Sequence, residues 1–304
     1  MTPLLHPGYH KTGTTWMQRR LFIPEHGFAP IFDHVEIDRL IFQPGPYSYD
    51  AASVRALAEE KHVRIGKDLV PVISSEIMSG QPYIGGRDGA LIANRLKETF
   101  PEASVMISIR EQLGLLPSLY MQYLQAGGTM PFAKFFAGRT VIGNYGFDPD
   151  FYEFDKFVGH YVRLFGQEHV MVHPMELLIR DPKAIVRGLR ALTGVQTDAD
   201  KVDYSNATYG AKEFVVPVIR RINHFRKNDF DHEPMIDFGP LGWIAYRAVN
   251  KFSRSTLGKR IGGKSKPVSR YVKERFAGRY AESNRRLQEY SSADLTKLGY
   301  PLAR

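Results

Sequence analysis

Apolar residues in this chain come in two spacings. Short unbroken runs read as strands: residues 3–7 around Leu4 and Leu5, then Leu69 to Ile73, Ala103 to Ile109, and Val170 to Val172. The 103–109 run shows no period-two alternation, as expected of a strand buried on both faces. Between the runs lie segments with apolar residues three and four apart. These predict helices over 14–23, 51–61, Ala90 to Phe100, Gln112 to Gln125, and Pro182 to Thr193, the last closing on Gly194 as a C-cap. Residues 24–49, rich in Pro, Gly, His and Tyr, predict irregular structure, and Gly85-Gly86-Arg87-Asp88 predicts a turn. Strands alternating with helices predict an α/β fold: a parallel central sheet flanked by helices, with a helix-rich C-terminal half. Length allows one domain or two. Ligands of such sheets sit beyond the carboxyl ends of the strands. Three segments with candidate chemistry fall there: the loop at 8–15, Ser74-Ser75-Glu76, and Arg110.

The loop reads Gly8-Tyr9-His10-Lys11-Thr12-Gly13-Thr14-Thr15-Trp16. A strand, a Gly-containing turn and a helix N-terminus together aim unpaired N–H groups and a positive dipole end at an anion. Lys11 adds a full charge, and Thr12, Thr14 and Thr15 add hydroxyls. Threonines also cap helices, but a cap does not require the surrounding Gly-x-x-Lys-Thr-Gly-Thr-Thr. Lys11 precedes Gly13, whereas a Walker A loop puts its Lys after the second Gly. The sequence is therefore a poor match to an ATP or GTP cradle. Arg110 follows the apolar run Val105 to Ile109, and Ser118 lies eight residues further on. A guanidinium at a strand end grips a phosphate bidentately, and a hydroxyl completes the grip. Pro117, next to Ser118, predicts a helix that starts or bends near Leu116.

The Lys-Thr-Gly-Thr-Thr core followed by Trp16 resembles the 5′-phosphosulfate loop of sulfotransferases, whose donor is 3′-phosphoadenosine 5′-phosphosulfate (PAPS). Arg110 and Ser118 resemble the Arg-x7-Ser pair that this family places on the 3′-phosphate. Weaker similarity runs through Phe157 to Leu177, Asp181-Pro182, and Ser269 to Glu289, where Val272, Phe276, Tyr280 and Leu287 match the family's final helix. The resemblance implies a single sulfotransferase domain over 1–304 with a P-loop NTPase-like sulfotransferase fold. It implies sulfuryl transfer from PAPS to a hydroxyl of a carbohydrate or other small acceptor, without a metal. Lys11 would neutralise the bridging oxygen, and Thr12, Gly13, Thr14 and Thr15 would hold the 5′-phosphosulfate. The acceptor base falls to Glu76, as in glycan-sulfating relatives, or to His10 within the loop. Glu76 alternatively caps the segment after it or pairs with an arginine. His6, His173 and His232 have no motif support and read as packing or surface residues.

Charge adds one feature. The net charge is +9, and Lys251 to Arg279 holds ten Lys/Arg against one acid, Glu274, so this segment carries the whole excess. Such a segment suits an anionic partner or is simply a solvated surface. In sulfotransferases a late basic loop closes over the 3′-phosphate, which makes Arg260, Lys264 and Lys266, in the Gly- and Ser-containing stretch 258–269, candidate nucleotide contacts. The remaining charges suit an anionic acceptor, and a peripheral membrane contact fits them too. A nucleic-acid partner is not expected, because few aromatics interleave with the basic residues. There is no cysteine, and no apolar run approaches the roughly 20 residues of a membrane span. Neither is there a basic-then-apolar leader before the loop. A soluble cytoplasmic protein is expected. The alternatives are a P-loop kinase, which would need a Mg²⁺-binding acid after a strand, a basic nucleic-acid-binding module, and an inactive sulfotransferase-like scaffold.

Overall fold

The structure, a computed structural model, describes residues 1–138, 146–205, 211–227 and 237–303. His232 lies outside them. The chain divides into two compact units. The first comprises Met1–Glu111, Asp148–Asn206 and Gly278–Arg304, and the second comprises Gln112–Phe147 and Ala207–Ala277.

The first unit is built on a five-stranded sheet: β1 (Leu4–His6), β2 (Phe28–Pro30), β3 (Val70–Ser74), β4 (Ser104–Ile109) and β5 (Val170–Pro174). The order is β2-β3-β1-β4-β5, and every pairing is parallel. The α/β expectation with a parallel central sheet holds. β1 is the middle strand, paired Leu5 to Ile73 on one side and Leu5 to Val105 on the other. Leu4, Val72 and Met106 face a core cluster with Met17, Leu21, Phe28, Ile185 and Leu189. Successive side chains alternate in a strand, so Leu5, Ile73, Val105 and Ile107, all buried, point to the opposite face. The helix Phe154–Phe165 packs on β4 and β5. Both faces are thus covered, which is why these strands read as unbroken apolar runs.

The turn at 85–88 and the helix after it (Gly89–Thr99) form where expected, and Gly194, in the left-handed conformation, caps Ala184–Thr193. Two expectations need correction. Residues 24–49 are not irregular: they contain β2 and a short helix (His34–Ile37) closed by a capping box between Asp33 and Glu36. Residues 269–289 are not one helix but two, Pro267–Arg275 and Ala281–Leu287, separated at Gly278, whose φ is +70°.

The second unit is helical, with Gln112–Gln125, Val216–Asn223, Pro240–Arg254, Thr256–Gly262 and Pro267–Arg275 as its main elements. Gln112–Gln125 continues through Pro117 instead of starting there. Its core is aromatic: Tyr120, Phe135, Phe136, Phe147 and Phe276 meet edge-to-face or tilted. Buried Asn223 donates to the carbonyls of Leu124 and Gly128, both at 2.8 Å, and so satisfies the frayed end of that helix.

Candidate active site

The loop after β1 is held in place by its own neighbours. The Tyr9 amide donates to the Ser108 carbonyl of β4 at 2.9 Å. The Tyr9 ring is fully buried among Phe151, Phe154 and Phe157, and its hydroxyl donates to the Phe151 carbonyl at 3.0 Å. Thr12 is buried, and its hydroxyl donates to the Tyr9 carbonyl at 2.5 Å, closing the turn from inside. Lys11 has φ +66°, the single left-handed non-glycine among the described residues. Gly13 follows at φ +92° and immediately precedes the helical segment Thr14–Trp16, which continues in wider turns over Met17–Leu21. A side chain at Gly13 would press on Leu178 as well as on its own backbone.

This geometry leaves an anion cradle. The Thr14 side chain is buried, and its hydroxyl has no hydrogen-bond partner among the described residues. It lies over Gly8, where an added Cβ would sit 3.2 Å from Thr14 Oγ1 and 3.0 Å from His6 Nε2. An unsatisfied buried hydroxyl carries a desolvation cost that a ligand oxygen relieves. Thr15, exposed, follows Thr14 in the helical segment, while the Trp16 indole stacks on Tyr204 and donates to the Asp203 carbonyl.

Lys11 and Arg110 meet at this loop. Arg110 Nη1 donates to the Lys11 carbonyl at 3.4 Å. Burial lowers the Lys11 ammonium pKa, the Arg110 charge lowers it further, and Glu76 opposes both. Burial also pulls the Arg110 pKa down, with the Glu176 and Glu111 carboxylates offsetting it. Glu176 is a brace: one carboxylate oxygen accepts the Glu111 amide and the other accepts the Tyr300 hydroxyl, both at 3.0 Å. It ties the end of β4 to the segment after β5.

Glu76 opens a short turn (Glu76–Ser79) directly after β3, and Ser75 caps it. The carboxylate bears on both His10 and Lys11. The His10 pKa is lowered to about 4, first by burial, with His34 and Lys11 adding to that and Glu76 opposing it. His10 is therefore neutral near pH 7. Two further polar side chains reach this end of the sheet: His34, whose Nδ1 is 2.9 Å from Ser75 Oγ, and Gln18, which donates to the Ser74 carbonyl at 2.9 Å. Both come from chain segments remote from β3, and no motif marks either. A cleft of about 230 Å³ opens beside them, with Phe22, Phe32 and Val72 as apolar lining and Gln18, Asp33 and His34 as polar lining. A larger cleft, about 380 Å³, lies between β2 and the helix Ala51–Ile65 and includes none of the loop residues.

His6 and His173 are buried, as expected of packing residues, and burial lowers their pKa values to about 3 and about 4. The other expected nucleotide residues belong to the second unit. Ser118 donates to the Gly114 carbonyl within its helix. Arg260 lies on Thr256–Gly262, so the stretch expected as a loop is helical as far as Gly262. Lys264 follows in the link, and Lys266 is the N-cap of Pro267–Arg275. Among the described residues there is no cluster of His, Cys, Asp or Glu arranged to hold a metal.

No family model matches the sequence, and no curated protein matches it. Among solved structures, the chain is similar to a sulfotransferase from Alicyclobacillus acidocaldarius, at 20% identity and a TM-score of 0.46 over 86% of this chain and 99% of that one. It is also similar to the sulfotransferase domain of the Synechococcus PCC 7002 olefin synthase, at 11% identity and a TM-score of 0.44 over 84% and 95% of the two chains. A third similarity is to the sulfotransferase domain of the curacin biosynthetic pathway, at 11% identity and a TM-score of 0.44 over 90% and 97%.

Proposed function

We propose that the chain is a sulfotransferase that moves the sulfuryl group of PAPS to a hydroxyl of a carbohydrate or small-molecule acceptor. The observation that carries this reading is the cradle: a partnerless buried Thr14 hydroxyl over Gly8, flanked by half-buried Lys11 with Arg110 hydrogen-bonded to the carbonyl of Lys11. The site offers cations and donors of hydrogen bonds, which fits the anionic groups of a phosphosulfate. The bound donor supplies an electrophilic sulfur whose leaving group is a phosphate. The residues do the rest by position and charge. Gly13, Thr14 and Thr15 bind the 5′ end through amides and hydroxyls, with the Thr12 amide alongside. Arg110 reads the 3′-phosphate.

Glu76 takes the acceptor proton. The acceptor oxygen then forms its bond to sulfur while the bond from sulfur to the 5′-phosphate oxygen breaks. The electron pair goes to that oxygen, where Lys11 meets the new charge. His10, held neutral by burial, is the alternative base. The apolar cleft rimmed by Gln18, Asp33 and His34 suits a small acceptor approaching Glu76. The test is transfer of labelled sulfuryl from PAPS to fractionated cell extract, without added metal, by the native chain and by Glu76→Gln. The amide keeps shape but cannot take a proton, so turnover should fall by about 10²-fold or more with unchanged binding of adenosine 3′,5′-bisphosphate. A loss under tenfold moves the base to His10. Stabilisation by MgATP and not by the bisphosphate would favour a kinase.

A further inference from the structure

The helices Pro240–Arg254 and Thr256–Gly262 bury one side and leave the other apolar. In the first helix Gly242, Tyr246 and Ser253 face inward. Gly242 packs so closely that an added Cβ would lie 3.0 Å from both Arg226 Cβ and the Phe225 carbonyl, and the Arg226 guanidinium covers the Tyr246 ring at 4.6 Å. On the far side Leu241, Ile244 and Phe252 recur at helical spacing, with the exposed small residue Ala248 between the last two. After a single linking residue, Ser255, the second helix exposes Leu257 and Ile261, four apart. These five large side chains are 41–69% exposed. At the start of the first helix, Phe225 and Phe238 stack on each other at 5.2 Å with both rings partly in solvent.

Charge borders this apolar stripe. Residues 240–266 contain seven Lys/Arg and no Asp or Glu. Arg247 and Lys251 fall on one flank of the first helix, and Arg247 lies over the exposed Trp243 ring at 4.3 Å. Lys259 and Arg260 lie between Leu257 and Ile261 in the sequence and turn away from the face those two share. Several large apolar side chains exposed at helical spacing on neighbouring helices mark a candidate interaction site. Protein interfaces deplete lysine from their cores, whereas helices lying in a bilayer interface combine Leu, Phe and Trp with Lys/Arg on the polar side. Long basic side chains can reach headgroup phosphates while their stems stay in the apolar layer.

We propose that this face is a docking surface for an anionic lipid bilayer. Leu241, Ile244, Phe252, Leu257 and Ile261 enter the boundary between headgroups and acyl chains, about 5–10 Å deep. The flanking Lys and Arg meet the lipid phosphates. The second unit alone carries this surface, and it is independent of the reaction assigned above.

Co-sedimentation of the full chain with vesicles of phosphatidylcholine alone, or mixed with phosphatidylserine, tests it. Binding is expected to the mixed vesicles, with little to the neutral ones. Lys251→Gln and Lys259→Gln should each lower the partition coefficient about fivefold at low salt. Ile244→Asp with Leu257→Asp should lower it at least about tenfold with little change in the thermal melt, because both side chains are already more than half exposed. Trp243 emission should shift to the blue on binding, read as the difference from Trp243→Phe. Equal binding to neutral vesicles, or no binding to either, overturns the proposal. So does a loss that follows the lysines but not Ile244 and Leu257, which would mean adsorption without insertion. Self-association abolished by Ile244→Asp, in a chain that ignores vesicles, assigns the face to a second copy instead.

Discussion

The molecule concentrates positive charge in two places and treats it oppositely. Lys11 and Arg110 are drawn partly out of water at the carboxyl end of the sheet, where burial works against their charged forms. Lys251, Lys259, Arg260 and Lys264 stand in solvent on the surface of the second unit. A partly desolvated cation acts in a low effective dielectric, over a short range, on an oxygen whose position is fixed. An exposed cation is screened beyond about 10 Å at 0.1 M salt and attracts any anionic surface. The first arrangement suits charge that develops during a reaction, and the second suits a broad, salt-sensitive partner. The difference lies in the backbone around each group: a strained loop under aromatic clamps holds Lys11, while open helix faces hold the others.

Removing Lys11 should show the largest effect. Lys11→Ala is expected to cut turnover by about 10²–10³-fold while the bisphosphate affinity changes little, since the charge matters most on the leaving oxygen. Lys11→Gly should be as inactive yet more stable, by up to about 1 kcal/mol, because it releases a left-handed non-glycine backbone. Native activity in either variant would remove Lys11 from the chemistry.

Arg110→Ala probes whether the second half-buried cation reads a ligand or holds the loop. Affinity for the bisphosphate should fall about thirtyfold or more while AMP affinity barely moves. Equal losses for both would mean that the bond to the Lys11 carbonyl is its main role, and the contrast with the surface cations would reduce to packing.

The smallest effect tests the desolvated end of the sheet through pH. His6, His10 and His173 have pKa values depressed by burial to about 3, about 4 and about 4. The unfolded chain therefore binds more protons between pH 6.5 and 4. Stability is full above 6.5 and declines as pH falls through that window, by up to about 1.4 kcal/mol per unit for each histidine. His173 Nε2 is buried with no partner among the described residues. His173→Leu should flatten the urea midpoint against pH below 6.5 and leave it near native at pH 7.5. An unchanged slope would show that the imidazole is hydrated in solution.

Much of this was legible in the sequence, and for identifiable reasons. Strands buried on both faces announce themselves as uninterrupted apolar runs, and a glycine between threonines after such a run marks an anion loop. β2 was not legible: three residues, Phe28–Pro30, end in a proline, and their pairing partner Val70 lies far along the chain. The helical pattern over 269–289 was real at both ends, but periodicity could not register that Gly278 adopts a positive φ between two shorter helices. The stretch 258–269 looked like a loop because it is rich in Gly and Ser and resembles the family's late basic loop. Gly258 instead packs against the Phe252 carbonyl inside a helical turn capped by Ser255. His34 and Gln18 reach the site only through tertiary packing, which no local pattern encodes.

The polar ends of the three middle strands have a consequence for how the sheet assembles. His6, Ser74 and Ser108 lie on the same faces as Leu4, Val72 and Met106, two residues further along their strands. The imidazole spans the two serines, Nδ1 at 2.8 Å from Ser74 Oγ and Nε2 at 2.7 Å from Ser108 Oγ. Gln18 donates to Ser74 Oγ and Ser108 donates to Met17 Sδ, so the direction of donation is consistent from end to end with a proton on Nε2. A strand of three or five apolar residues can slide by two positions and still present the same face to the core, so hydrophobicity alone does not forbid the error. Here a two-residue slip of β3 would set Val72 opposite His6 and strand a buried imidazole nitrogen, at a cost of about 1–3 kcal/mol. The triad works as an address: it spells out which of two nearly equivalent alignments brings Ser75 and Glu76 level with the loop of β1.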